Sequence, residues 1–162
     1  MLVNWHKALG LAACATLAGM GLAAHAAELQ VTATLPDSCT VANGTLAFGT
    51  VDPSGGSTPT ANTTFNVQCS TTGSVTIALD GGAHYQQGTN GRAMKRASSN
   101  NYLDYELYTT AAQSTAWPVP GGISKPVVVG ANPVAVFGAI AANQVRPGGQ
   151  YSDTVQITMT VN

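Results

Sequence analysis

Few residues in this chain could carry chemistry. Beyond a leader at the N-terminus one histidine is left, His84, in the loop "GGAHYQQG". A serine or cysteine nucleophile needs a histidine base held in a defined arrangement, whereas a lone histidine between glycines is typical of a loop. Asp104 and Glu106 stand two apart in "NYLDYELY", a spacing that puts both carboxylates on one face of a strand. Such pairs can hydrolyse glycosides, but a solvated strand face is the favoured interpretation. We expect no catalytic site.

The tyrosines and cysteines also have structural interpretations. Tyr102, Tyr105 and Tyr108 could form a sugar-binding platform, but their spacing does not place all three on one strand face, which favours core and edge packing. Cys39 and Cys69 remain once Cys14 leaves with the leader, and an even pair in an exported protein indicates a disulfide. A zinc site would need further soft or imidazole ligands. The sequence therefore predicts neither an enzyme nor a metal or cofactor site.

The N-terminus is typical of a secretory signal peptide over residues 1–26. A short basic start, "MLVNWHK", precedes an uncharged apolar run, and "AHA" supplies the small residues of a cleavage site. The run is rich in small residues and leads at once into this site, which argues against a membrane anchor. "LAAC" at Leu11–Cys14 resembles a lipoprotein site, but the apolar stretch before it is shorter than a signal core. After removal of the signal, no membrane insertion is expected.

The composition excludes several classes of partner. Charged residues make up 8% of the chain, against roughly 25% in ordinary soluble proteins. Removing residues 1–26 of 162 leaves 136, with five basic and seven acidic side chains, so the net charge is −2. No basic patch exists to hold nucleic acid. A surface of Thr, Ser, Asn, Gln and Gly suits an extracellular protein that packs against copies of itself.

The rest of the chain is a succession of short strand-like runs separated by turn residues, with no helical periodicity. Six main strands are predicted after Cys39, namely "TLAFG", "FNVQC", "SVTIALD", "NYLDYELY", "VAVFGAIA" and the C-terminal "TVQITMTVN", with "RAMKR" and "PVVVG" as shorter candidates. This pattern predicts an all-β, immunoglobulin-like sandwich. A seven-stranded sandwich would need one more strand after the last, so the fold is expected to be incomplete there.

An unpaired strand is also expected at the other end. In "ELQVTATLP", Leu29, Val31, Ala33 and Leu35 alternate with polar residues, which is the period of a half-buried strand. It could be the first strand of a self-contained sandwich, or it could pair with a neighbouring molecule.

Seven segments occur in an order that resembles the spore coat protein U domain family, which includes subunits of archaic chaperone-usher pili. They are "CTV" at Cys39, "LAFGTV" at Leu46, "VTIALDGG" at Val75, "RAM" at Arg92, "LDYELYTTAAQSTAW" at Leu103, "VFGAIAANQ" at Val136 and "GGQYSDTVQITMTV" at Gly148. The resemblance covers nearly the whole chain after the leader and is closest to a single-domain rod subunit.

The resemblance implies an assembly mechanism and a division of the chain. Residues 27–38 would be a donor-strand extension and residues 39–162 the pilin domain. A periplasmic chaperone and an outer-membrane usher would deliver subunits into a surface fibre for attachment and biofilm formation. The residues carried over are the donor positions Leu29, Val31, Ala33 and Leu35, the disulfide Cys39–Cys69, and the acceptor positions Val155, Ile157, Met159 and Val161. Ala33 is smaller than the family's usual aliphatic residue. The alternatives are a protective coat protein of dormant cells and a monomeric adhesive or carbohydrate-binding module.

Overall fold

A computed structural model describes residues 29–89 and 91–162. The predicted signal peptide lies outside them. Two units are distinguished, one ending at Thr34 and one over Leu35–Asn162. In the first, residues 29–34 belong to no strand and are exposed. No helix among the described residues has the length and apolar character that crossing a membrane requires.

The second unit is all-β. Its described residues form nine strands, which are β1 Cys39–Val41, β2 Thr60–Cys69, β3 Gly73–Leu79, β4 Ala93–Arg96, β5 Tyr102–Tyr108, β6 Ile123–Val127, β7 Gly130–Ile140, β8 Tyr151–Ser152 and β9 Ile157–Val161. They form a six-stranded sheet in the order β1-β2-β7-β5-β4-β8 and a three-stranded sheet in the order β6-β3-β9, and all recorded pairings are antiparallel. The predicted sandwich class is confirmed.

The core follows the alternation of the strands. On β2, Phe65 and Val67 are buried while their neighbours are exposed, and on β3 Val75, Ile77 and Leu79 are buried while the residues between them are half-buried. Because neighbouring side chains on a strand point to opposite faces, each sheet presents one apolar face, and these faces supply most of the buried hydrophobic cluster. The predicted inward faces of "FNVQC" and "SVTIALD" are confirmed.

Two strand predictions are wrong, and the count of six is too low. No strand forms over Thr45–Gly49; Leu46 and Phe48 are half-buried because they pack onto Gly138 of β7, where a Cβ would lie 2.6 and 2.8 Å from their side chains. "PVVVG" is not one strand either, since β6 ends at Val127. Asn132 turns the chain there, accepting from the N–H of Val128 at 2.9 Å and donating to its carbonyl at 2.8 Å.

Candidate functional site

The last strand, β9, has a hydrogen-bonded neighbour along one side. Asn162 N–H donates to the carbonyl of Ser74 at 3.0 Å, and Asp80 N–H donates to the carbonyl of Gln156 at 3.1 Å. In an antiparallel pair every second residue bonds to the same neighbour, so the even-numbered positions of β9 face β3. The odd-numbered positions turn their N–H and C=O groups to the opposite edge. Within the described residues no strand pairs with that edge.

The side chains of those odd-numbered positions point inward. Val155, Ile157 and Met159 are half-buried, Val161 is 43% exposed, and the residues between them are exposed. The strand therefore offers free backbone groups and apolar side chains on the same residues. An edge of this kind is a template for a further strand.

A groove of about 430 Å³ opens beside this edge, between the two sheets. Leu46, in the segment that precedes β2, forms part of its opposite wall, and apolar side chains from both sheets line it, including Phe65, Leu79, Leu107 and Val136. The groove takes in Val155 and Ile157 but does not extend to Met159 or Val161. At that end β1 lies close to β9, which narrows the gap.

The disulfide lies at the narrow end of the sandwich. Cys39 on β1 stands directly opposite Cys69 on β2, and the two Cα atoms are 4.1 Å apart. The bond encloses a loop of 30 residues, which on the chain-entropy account stabilises the fold by about 3–4 kcal/mol. The predicted pairing is present, and it fixes the point at which the N-terminal segment leaves the domain.

A polar cluster lines the other end of the groove, next to Val155. The carboxylate of Asp153, buried with 2% exposure, accepts from Tyr105 Oη at 2.7 Å, and it accepts from His84 N–H at 3.2 Å and lies 2.9 Å from His84 Nδ1. Burial, and next the hydrogen bond to Asp153, raise the pKa of Tyr105 far above its usual range. These contacts tie the loop after β3 to the segment between β8 and β9, so they hold the groove's end in place.

The comparisons with known proteins agree with this architecture. A profile of the spore coat protein U domain matches residues 25–158. Protein U of Myxococcus xanthus is 32% identical over 149 residues, covering 83% of each chain. The chain belongs to the spore coat protein U domain family.

Two solved structures share the fold at low sequence identity. One is the CsuC–CsuE chaperone–tip adhesion subunit pre-assembly complex from archaic chaperone-usher Csu pili of Acinetobacter baumannii, with a TM-score of 0.55, 18% identity and coverage of 78% of this chain and 40% of that one. The other is the P pilus rod subunit PapA, with a TM-score of 0.53, 13% identity and coverage of 76% and 99%. This chain thus spans less than half of the first solved chain and nearly all of the second.

The sequence-predicted site residues fall into two groups. The acceptor positions lie together along β9 and the segment before it. The donor positions are not in a strand: Leu29, Val31 and Leu35 are 89%, 83% and 84% exposed, and Ala33 is exposed as well. The roles of both sets stay predictions.

The interpretation of the paired carboxylates as a solvated strand face is wrong for Asp104, while the side chain of Glu106 is 32% exposed. Asp104 is buried rather than solvated; it accepts from Thr89 N–H at 2.8 Å, and its other oxygen lies 4.0 Å from Arg146. Glu106 pairs with the buried Arg92. Both are therefore held in structural ion pairs, and the described residues bring no group of three metal-ligating side chains together.

Arg92 is a structural residue that the sequence pattern did not single out. Its guanidinium is 1% exposed and donates to the carbonyls of Leu79, Asp80 and Trp117 at 3.1, 2.9 and 3.3 Å. Its partners come from distant parts of the chain, as do those of Asp153. No local periodicity signals contacts of this kind.

Proposed function

We propose that this chain is a structural subunit of a chaperone-usher pilus and polymerises by donor-strand exchange. The observation that carries the proposal is the free edge of β9. Its first inward residue, Ile157, lines an open groove together with Val155, which precedes the strand, and its backbone groups on that side have no strand to pair with among the described residues. The strand over Leu29–Leu35 of a neighbouring copy would fill the groove. The donor segment, Leu29–Leu35, and the acceptor segment, Val155–Val161, each have four alternating apolar positions and a length of seven residues, about 20 Å from end to end.

Head-to-tail assembly gives the inserted strand a direction. The N-terminal segment leaves the domain at Cys39, which stands opposite Cys69 at the end of β2. β9 ends opposite Val75, near the start of β3. Because β3 follows β2 directly, Cys39 and the last residue of β9 lie at the same end of the domain. A strand from a neighbour stacked on the other end enters beside Val155 and runs antiparallel to β9. Pairing then joins Leu29 with Val161, Val31 with Met159, Ala33 with Ile157 and Leu35 with Val155.

This register satisfies the free backbone groups. Directly opposed residues in an antiparallel pair share a face, and alternate pairs exchange both hydrogen bonds. The odd-numbered residues of β9 are those with free groups, and the four donor residues that would face them all carry an N–H. Leu35 precedes Pro36, which favours an extended backbone. At the Met159 end the donor would have to enter the narrow gap between β9 and β1.

An open apolar groove is an aggregation hazard until it is filled. A periplasmic chaperone that lends a strand, followed by transfer at an outer-membrane usher, would protect it. The finished fibre would stand on the cell surface and serve attachment and biofilm formation. The low charge and polar, Thr-rich surface suit such a protein, and the solved pilus subunits that share its fold support the proposal.

A second candidate is a protective coat of dormant cells. The family description and the 32% identity to Protein U favour it. Both candidates can use the same polymerisation, so they differ in where the protein is found. Antibody labelling of growing and dormant cells separates fibres on growing cells from a layer on dormant ones.

Leu35→Asp tests the donor strand. It would put a carboxylate into the apolar groove beside Val155, at a cost of several kcal/mol, so we expect no fibres. Thr34→Asp is the matched control, because the neighbouring position faces away from the groove and fibres should form. Electron microscopy of expressing cells and a ladder of SDS-resistant oligomers provide the measurements. Normal fibres from Leu35→Asp would show that this segment is not the donor.

A further inference from the structure

The three-stranded sheet has a second outer edge, which runs along β6. In the order β6-β3-β9, β6 pairs with β3 on one side, and no strand of the described residues lies beside its other side. Ser124 and Pro126 are exposed, so solvent reaches this edge. Because any free edge is a template for a further strand, the sheet offers two edges at which another copy could pair. The groove is lined from β9 and not from β6.

The register of β6 shows which of its backbone groups face outward. Asn162 N–H donates to the carbonyl of Ser74, so the even-numbered residues of β3 bond to β9 and the odd-numbered ones bond to β6. Lys125 stands opposite an odd-numbered residue of β3, and Pro126 stands opposite Ser74. Lys125 therefore exchanges hydrogen bonds with β3, while Ser124 and Pro126 turn their backbone groups to the free edge.

This edge presents few hydrogen-bond donors. Its outward positions are Ser124, Pro126 and Val128, the residue that follows β6, and Pro126 has no N–H to donate. Val128 N–H donates to Oδ1 of Asn132 at 2.9 Å, and its carbonyl accepts from Nδ2 of the same side chain at 2.8 Å. Among the described residues Ser124 alone keeps a free outward N–H. An added strand would find one donor along about 13 Å of this edge.

The side chain of Lys125 also opposes an added strand. Lys125 alternates with Ile123 and Val127, and it is half-buried on the face on which Val127 is buried with 3% exposure. Within the described part of the chain no carboxylate lies within 4.0 Å of its ammonium group. A strand along β6 would take water away from an unpaired charge, which is unfavourable. Prolines and inward-pointing charges are recognised means of preventing pairing at a sheet edge.

The edge of β9 has none of these features. Its five residues, "ITMTV", include no proline and no charged residue. Ile157, Met159 and Val161 all carry an N–H, and no described residue accepts from them. The two outer edges of one small sheet therefore differ, since the β9 edge is open and the β6 edge is closed.

We infer that Pro126, Lys125 and Asn132 close the β6 edge to strands of other copies, so that a further strand is accepted at β9 alone. The effect on assembly rests on the proposed donor-strand exchange, whereas the closure itself does not. Selectivity often comes from blocking the wrong partner as well as from attracting the right one. With one accepting edge in each copy, a fibre grows without branches, and neighbouring fibres do not pair side by side.

Restoring the missing donor tests the closure. Pro126→Thr gives the edge a second free N–H, two residues from that of Ser124. A contact between two β6 edges is weak, but it repeats along a fibre, so the fraction of purified fibres that sediments at low speed should rise about tenfold or more. Electron microscopy should show bundles in place of single fibres. Pro126→Ala restores the same N–H without a hydroxyl group and should have the same effect.

A proline placed elsewhere on the edge is the matched control. The double variant Ser124→Pro, Pro126→Thr moves the proline to the other outward position and leaves one free N–H, so its fibres should stay single. Adding Lys125→Thr to Pro126→Thr removes the inward charge as well and should increase the bundling. Thermal melts check that each variant folds, and Pro126→Ala replaces Pro126→Thr if the latter does not.

The failures of the two proposals are distinguishable. If Pro126→Thr and Pro126→Ala both give single fibres, the closure is wrong and donor-strand exchange stands. Bundling by the double variant as strong as that of Pro126→Thr also overturns the closure. If the wild type forms no fibres, the proposed function fails, and sedimentation of the folded chain decides the closure. Pro126→Thr should then self-associate more than the wild type and the double variant, and equal sedimentation of all three would refute the closure.

Discussion

A copy of the N-terminal strand joined to the end of β9 should complete the fold within one chain. The change removes residues 1–36 and adds a copy of residues 28–36 after Asn162 through a four-residue Gly/Ser linker. The proposed antiparallel pairing starts at the end where β9 finishes, so this linker needs to form only a hairpin. We expect a soluble monomer that folds without a chaperone and does not polymerise.

The expected gain in the free energy of unfolding can be calculated against a matched control that differs from the fusion in two side chains. Changing Val31 and Leu35 of the added copy to Asp keeps the ordering of the backbone but removes the burial of a Val and a Leu, each about 1.5–3 kcal/mol. The fusion should therefore exceed its control by about 3–6 kcal/mol. At roughly 4 °C per kcal/mol for a chain of this size, the melting temperatures should differ by about 12–24 °C.

Linker length tests the direction of the added strand. A parallel strand would have to begin at the far end of the groove, about 20 Å away, and four extended residues reach about 14 Å. Stabilisation by a twelve-residue linker but not by a four-residue one would overturn the antiparallel register. Equal melting temperatures for the fusion, its Asp control and the domain without an added strand would show that the fold was already complete, and the donor-strand proposal would fail.

Two further predictions concern the polar residues around the groove. Arg92→Met should lower the free energy of unfolding by about 3 kcal/mol or more, because the buried carbonyls that Arg92 donates to lose their donor. Glu106→Gln should lower it by less, since Arg92 still donates to those carbonyls. Urea denaturation of the two variants measures the difference. The raised pKa of Tyr105 predicts a loss of stability in alkali: above about pH 10 the unfolded chain releases the phenol proton that the folded chain retains, so the folding stability that this group contributes falls as the pH rises. The stability difference between the wild type and Tyr105→Phe should therefore narrow between about pH 9 and 11, and an unchanged difference would contradict this account.

Strands with strict alternation were predictable from the sequence, and their inward faces were too. β2 and β3 contain the segments that the pattern predicts, because a period of two has one way to bury its apolar residues. β5 is also present, but it does not alternate strictly, since Leu103, Asp104 and Tyr105 are all buried. Thr45–Gly49 has the same local pattern yet forms no strand. Leu46 and Phe48 are half-buried by packing over Gly138, and this long-range contact leaves no trace in the local periodicity.

The residues of the candidate site also divide into those that local alternation predicts and those that only long-range contacts bring together. The apolar residues of β9 were predictable because their alternation is local, whereas His84, Tyr105 and Asp153 are brought together by the topology of both sheets. Asp104 and Glu106 suggested a solvated face because charged residues are rarely buried. Their partners, Arg146 and Arg92, lie on other segments, and pairing at that distance in sequence decides whether a carboxylate can be buried.

The free edge of β9 cannot by itself choose its partner. Backbone groups pair with any extended chain, so selection must come from the side chains that enter the groove and from what holds the strand in place. Ala33 would face Ile157, which is half-buried against the core, so a small residue meets a large one at this pair. Leu35 would enter the groove beside Val155, which lines it. A chain that was shifted by one residue would turn Thr32 and Thr34 inward and bury hydroxyls without partners, at a cost of about 1–3 kcal/mol each. The alternation therefore fixes the face of the strand that enters the groove, and the apolar lining of the groove beside Val155 favours the large Leu35 at that end.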